Sequence, residues 1–253
     1  MKLVKIIPMA KKEIGFNPNF ENGGFWEYYK DLERQFEDFL EYVPYLEGNE
    51  NTYSFRLANI LLSIGAHIDS ALKKVAEDSC FSSKYPKMLN PVVEKGAKKG
   101  KTREQTFCDF YPLSEEYKLY EKTVIFKCLP KREVTIPFKE YRKELGKVPY
   151  WWTTYNHVKH KFAENFKQAN LKAVKDALAG AFLLNVVYEP ATVRLAKYGL
   201  VKLKYYSVDH CGEKLTFLRG NCKNYKGLVE PERAFDCIVE TPLFVYEYKF
   251  EWS

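Results

Sequence analysis

"PYWWTTYNHVKHKFAENFKQANLKAVKDALAGAFLL", residues 149–184, is the longest helical pattern in the chain. Tyr155, Val158, Phe162, Phe166, Ala169, Ala173 and Ala177 recur at three- and four-residue spacing and form one apolar stripe. Pro149 suits the first position of a helix, and Pro190 ends the run. The spacing predicts a single helix over 149–187.

The same stretch carries a polar cluster of Asn156, His157, Lys159 and His160, with two of the chain's four histidines. At about 100° per residue, Asn156 and His160 lie roughly 40° apart on one helix face. Lys159 sits closer to the stripe, nearly in line with Tyr155 and Phe162. His157 and Lys161 turn toward water. Asn156, Lys159 and His160 can therefore converge on one spot, and His157 stands outside it. The plain alternative is an amphipathic helix whose polar side chains bond only to neighbouring backbone.

Working toward the N-terminus, "SFRLANILLSIGAHIDSALKKV" (54–75) opens a second helix, expected over 54–79. Ser54 is its N-cap. Its apolar residues cover much of the circumference, which predicts a central place in a bundle. Asp69 continues the line of Leu62 and Ala76, and an acid in an apolar stripe needs a partner. Lys73, one turn on, supplies one, and so could a group on the 149–187 helix. As an ordinary surface pair Asp69 and Lys73 would contribute about 0.3–0.5 kcal/mol.

A third helix fits 25–43, where Trp26, Tyr29, Leu32, Phe36, Phe39, Leu40 and Val43 share a face. Residues 1–8 read as a short strand. Residues 81–103 change character, with prolines, glycines and the cations Lys95, Lys98, Lys99, Lys101 and Arg103. That segment reads as a solvated loop, or as an arm on nucleic-acid phosphates through Lys98, Lys99, Lys101 and Arg103. "KTVIFKCLPKREVTIPF" (122–138) reads as two strands around a turn. After Gly199, alternation in "LVKLKYY", "KLTFLRG", "FDCIVETP" and "LFVYEYKF" predicts antiparallel strands. Tyr205, Tyr206, Tyr225, Tyr246 and Tyr248 alternate there with Lys202, Lys204 and Lys249. They mark either a half-exposed sheet or a base-stacking surface. The architecture is α+β: a helical domain over 20–190 with an insertion at 81–148, and a β-rich extension over 200–253 packed on it.

The net charge of +7 suits an anionic partner without requiring one. The opening "MKLVKIIPMAKKEIG" lacks the apolar core of a secretory signal, and "AGAFLLNVV" is too short to span a bilayer. A cytoplasmic protein with reduced thiols and no membrane contact is the expectation. The six cysteines contain no CxxC pair, and "DHC" at 209–211 with Cys222 is only a loose cluster, so no metal or cofactor is expected. GxxxxGK, GxGxxG, HExxH and GxSxG are absent, which counts against P-loop and Rossmann nucleotide sites and the commonest hydrolases.

The 54–75 helix, with its acid and lysine, followed by W-x-x-Y-N-x-V-K-H resembles a widespread group of bacterial proteins similar to the HEPN superfamily of helical bundles. Many HEPN members are metal-independent ribonucleases of toxin–antitoxin and phage-defence systems. They are usually dimers with the site at the dimer interface, and some are non-catalytic binding or dimerisation modules. The resemblance covers roughly residues 20–80 and 149–188. His160 matches the family histidine, while Thr154 and Tyr155 stand where the family's R-x(4–6)-H motif has its arginine. The resemblance implies an endoribonuclease acting on RNA, a homodimer, and an antitoxin or other partner protein. His160 would be the acid or base and Asn156 would position a phosphate oxygen or the imidazole. Lys159 and Lys73 would stabilise phosphate charge, and Asp69 would hold Lys73 or fix the imidazole tautomer.

Overall fold

A computed structural model describes residues 22–77, 92–93, 102–103, 105–127, 132–187, 204–207 and 235–250. The expected strand at 1–8, Lys98, Lys99 and Lys101, the "DHC" segment and the "KLTFLRG" strand lie outside these residues.

The chain opens with α1 (Asn22–Leu40) and α2 (Phe55–Glu77). Trp26, Tyr29, Leu32, Phe36 and Phe39 of α1 are buried, as their spacing requires. At the start of α2, the Leu57 amide donates to Ser54 Oγ at 3.1 Å, so Ser54 caps the helix as expected. The insertion then contributes the paired strands β1 (Val92–Val93) and β2 (Thr102–Arg103), so the 81–103 segment is not loop throughout. A 3-10 turn at Phe107–Phe110, helix α3 (Tyr111–Glu116) and the hairpin β3 (Val124–Phe126) with β4 (Glu133–Thr135) follow.

The single helix expected over 149–187 is not observed. Helix α4 runs from Tyr150 to His160 and stops at Lys161, whose φ −141° and ψ 65° are not helical. One short turn, α5 (Phe162–Asn165), and a 3-10 turn (Phe166–Gln168) lead to α6 (Leu171–Val187). Two asparagines stabilise the break. Asn165 Nδ2 donates to the His157 carbonyl at 3.2 Å, and Asn170 Oδ1 accepts the Ala173 amide at 2.9 Å, capping α6. The first two amides of α6 donate to Thr52 O and Glu50 O, which ties its start to the residues before α2. Three- and four-residue spacing continues in phase across the turn, so periodicity alone does not reveal the break.

Helix α6 is buried all round from Ala173 to Val186, and it is the central helix. Helix α2 keeps a solvent stripe at Asn59, Ala66, Ser70 and Lys74, so it flanks the centre instead of occupying it. The remaining strands are β5 (Lys204–Ser207), β6 (Phe235–Glu240) and β7 (Phe244–Phe250). They join the insertion hairpin in one antiparallel sheet of order β4-β3-β7-β6-β5, with Phe126 opposite Phe244 at the β3–β7 seam. The C-terminal strands and the inserted hairpin are thus one surface. Phe244 stacks on Phe182 of α6 at 5.8 Å and meets Phe126 at a tilt at 5.4 Å, which seats the sheet on the central helix. Tyr246 is buried there and has no face for a base.

A buried carboxylate fastens α1 to this sheet. Glu33 accepts the Leu243 amide at 2.9 Å and the Thr241 hydroxyl, both in the β6–β7 turn. Burial raises its carboxyl above the usual range, and the bonds from Thr241 and Leu243 offset only part of that.

Helix α4 crosses α2 where Tyr155 lies against Gly65. A Cβ added to Gly65 would fall within the Tyr155 ring. Gly65→Ala is therefore expected to cost about 1–3 kcal/mol in chemical denaturation, despite alanine's better helix propensity. Adding Tyr155→Leu to it should return part of that loss.

Candidate functional site

The quoted stretch divides at Tyr155 into an anchoring half and a surface half. Trp151 and Trp152 are both buried. Trp151 Nε1 donates to the Pro137 carbonyl at 2.7 Å, and Trp152 stacks on Phe107 at 4.2 Å. The insertion therefore wraps the start of α4. Val158 is the last buried residue of the helix, and Lys159 and His160 are exposed on its final turn.

Asn156, Lys159 and His160 share the C-terminal half of α4. Asn156 is half-buried, and Lys159 Nζ lies 5.5 Å from the Tyr155 ring centre. Among the described residues, the side chains of Asn156 and His160 make no hydrogen bond or ion pair. His157 stands apart, as its spacing indicates, with Nδ1 3.0 Å from Gln168 Oε1. That bond helps hold the turn after the break.

Asp69 and Lys73 pair with each other at 2.7 Å, both partly exposed, as an (i, i+4) bridge at the edge of α2. They do not meet His160. Phe55, before Gly65, stacks with Phe162, after Tyr155, so α2 and α4 run antiparallel through the Gly65–Tyr155 crossing. At about 1.5 Å per residue, Lys73 lies roughly 12 Å to one side and His160 roughly 7 Å to the other, a separation on the order of 20 Å along the axes. A single pocket holding the acid–amine couple and the imidazole is not formed within one chain. Helical spacing shows which residues share a face, but not which way a second helix runs across it.

A group of aromatic rings follows the end of α4. Phe55 is 62% exposed at the first turn of α2, and it stacks on Phe166 at 4.6 Å and on Phe162 at 6.1 Å. Tyr53 is 45% exposed and meets Phe166 edge-on at 5.9 Å, with Lys167 Nζ 5.7 Å from the Tyr53 ring centre. Residues 157–168 carry Lys159, Lys161, Lys167 and two histidines against one acid, Glu164, which pairs with Lys161 at 3.4 Å. Arg103 of the predicted phosphate arm is in β2, on the insertion.

Two polar groups escaped the sequence reading. The first is a charged cluster under the sheet. Lys175, fully buried in α6, pairs with Glu133 of β4, lies 3.2 Å from Asp176, and faces the Tyr45 ring at 5.0 Å. Asp176 accepts from the Tyr150 hydroxyl, from Lys172 at 3.1 Å and from Thr135 at 3.2 Å. Burial, and then the Asp176 carboxylate, push the Tyr150 phenol well above its usual range. The signal was an adjacent Lys–Asp pair inside an otherwise apolar helical run. Breaking a buried pair leaves an uncompensated charge. Lys175→Met should cost about 3–5 kcal/mol in a denaturant melt, and the double replacement with Asp176→Leu should cost less than the two singles summed.

The second is His67, buried between α1, α2 and α6. Its Nε2 lies 3.0 Å from Asn185 Nδ2, which also donates to the Ala181 carbonyl at 2.8 Å. Asn185 is the donor to both, so the neutral imidazole carries its proton on Nδ1, which finds no partner among the described residues. Phe25 and Tyr28 press on the ring at 5.6 Å. Burial pushes its pKa down to about 4. The unfolded chain takes up this proton first as pH falls. The contribution of His67 to stability is thus complete above about pH 6.5 and is lost between there and pH 4, about 3 kcal/mol in all. Thermal melts across that window should show a steeper fall for the wild type than for His67→Gln.

Among the described residues, no three His, Cys, Asp or Glu are grouped to hold a metal, and no helix is long and apolar enough to cross a membrane. Comparison of the chain with protein-family models, curated proteins and solved structures finds no match.

Proposed function

We propose that this chain binds RNA through the surface at the end of α4. The observation that carries this reading is the exposed run of Lys159, His160, Lys161 and Lys167, where Glu164 is the only acid. Phosphate contacts of this kind supply affinity without sequence preference and weaken as salt rises. The chain's positive charge and its likeness to HEPN proteins support the same partner.

A second reading, metal-independent cleavage of that RNA, is favoured by His160. Its imidazole is exposed, carries no side-chain partner among the described residues, and stands between two lysines. As a general base it would take the proton of a ribose 2′-hydroxyl, and the oxygen would attack the adjacent phosphorus. The departing 5′-oxygen would take a proton from water or an imidazolium. Lys159 or Lys161 would offset the charge gained by the phosphate. Asp69 and Lys73 have no part in this version, because they lie too far along α2. A homodimer and a cognate antitoxin remain implications of the HEPN likeness alone.

The test is fluorescence anisotropy with labelled single-stranded RNA at low and moderate salt. Lys159→Ala with Lys161→Ala and Lys167→Ala should weaken binding at least tenfold and flatten its salt dependence. Undiminished binding by that triple variant would overturn the RNA surface. Incubation of RNA in the presence of a chelator, read on a gel, separates the two readings. Cleavage by the wild type that disappears in folded His160→Ala makes the protein a ribonuclease, and binding without cleavage makes it a non-catalytic RNA-binding module.

A further inference from the structure

Three aromatic rings stand nearly parallel at the mouth of the α2–α4 crossing. Phe55 and Phe166 are inclined by 19°, Phe55 and Phe162 by 13°, and Phe162 and Phe166 by 21°. Phe55 is the most exposed of the large apolar residues in this group, at 62%. An isolated exposed phenylalanine is unremarkable, but a stacked set of them is not. Phe162 and Phe166 pack partly against the core, but Phe55 lies outside it and remains open to solvent.

We infer that Phe55, backed by Phe162 and Phe166, is a stacking platform for the bases of single-stranded RNA. This rests on the RNA reading above and names the form of RNA that the same surface takes. A base laid on the open face of Phe55 continues a stack whose planes are already aligned. Three cations border the rings: Lys167 Nζ lies over the neighbouring Tyr53 ring, and in the sequence Lys161 precedes Phe162 and Arg56 follows Phe55. Arg56 is half-exposed and only loosely held by Asp38 at 3.5 Å. This charge selects a nucleic acid over a second copy of a chain whose net charge is +7. Duplex RNA presents phosphates and grooves instead of base faces, so it gains nothing from the rings.

The probe is a short oligo(2′-O-methyladenylate), which has no 2′-hydroxyl to attack and so reports binding alone. Phe55→Leu retains apolar bulk but loses the π-face, and should weaken this single strand about tenfold. Phe55→Trp should hold or improve affinity, and its indole fluorescence should be quenched on binding. A duplex of the same length should bind Phe55→Leu and wild type alike. Both variants sit at an exposed position and should melt like the wild type. Three results overturn the platform. If wild type and Phe55→Leu bind the single strand equally while the lysine triple variant fails, the platform is wrong and the RNA surface stands. If the wild type binds neither strand, both readings fall. If Phe55→Leu turns a dimer into a monomer in sedimentation without altering RNA affinity, the rings are a subunit seam.

Discussion

Lys175 sits without solvent contact in the middle of a helix that is covered on every side, and its charge has to be met from within the fold. Glu133 of β4 and the adjacent Asp176 meet it, and Tyr150, Lys172 and Thr135 complete the bonding of Asp176. The cluster joins the start of α4, the inserted hairpin and the central helix at one point. Glu133 can reach it because the β3–β4 register sets it opposite Phe126, and the Phe126 ring also lies 5.9 Å from Lys175. Pairing a buried charge is costly in desolvation and weak as a source of net stability. What it provides here is a meeting point of α6, β4 and the start of α4.

Helix α6 has no polar face and cannot stand alone, so α1, α2, α4 and the sheet each supply part of its cover. The break after His160 follows from that demand. A continuous helix over 149–187 could not lie along α2 with its first half and fill the centre with its second. Lys161 leaves the helical region, Asn165 and Asn170 satisfy the loosened backbone, and the chain turns back into the core. Phe162 and Phe166, partly buried against the core at the turn, stack with Phe55 at the surface. This ring contact and the exposed histidine belong to the same corner.

Much of this was legible residue by residue. Trp26, Tyr29, Leu32 and Phe36 marked the buried face of α1. Ser54 marked the start of α2, and "KTVIFKCLPKREVTIPF" marked a hairpin. The split of the polar cluster, with His157 apart from Asn156 and His160, also followed from helical angles. Each of these rests on contacts within one turn or one hairpin. The break at Lys161 was not legible, because an apolar stripe continues in phase through one irregular turn. The buried Lys175–Asp176 pair was not singled out, because its partner Glu133 is 42 residues away. The meeting expected between Lys73 and His160 required a parallel crossing of two helices, and the crossing is antiparallel.

The amino-acid order therefore determined what local periodicity can express: three apolar helical faces, their caps, the alternating strands and a basic surface run after Val158. The tertiary structure alone decided that the inserted hairpin and the C-terminal strands close one sheet, and that α6 is the helix at the centre. It also separated the Asp69–Lys73 pair from His160 and stacked Phe162 and Phe166 of the following turn on Phe55. The physical reason is the same in each case. Spacing along a chain reports the direction of a side chain around its own axis, whereas the company it keeps depends on how separate elements cross, and that is set by the burial of α6 as a whole.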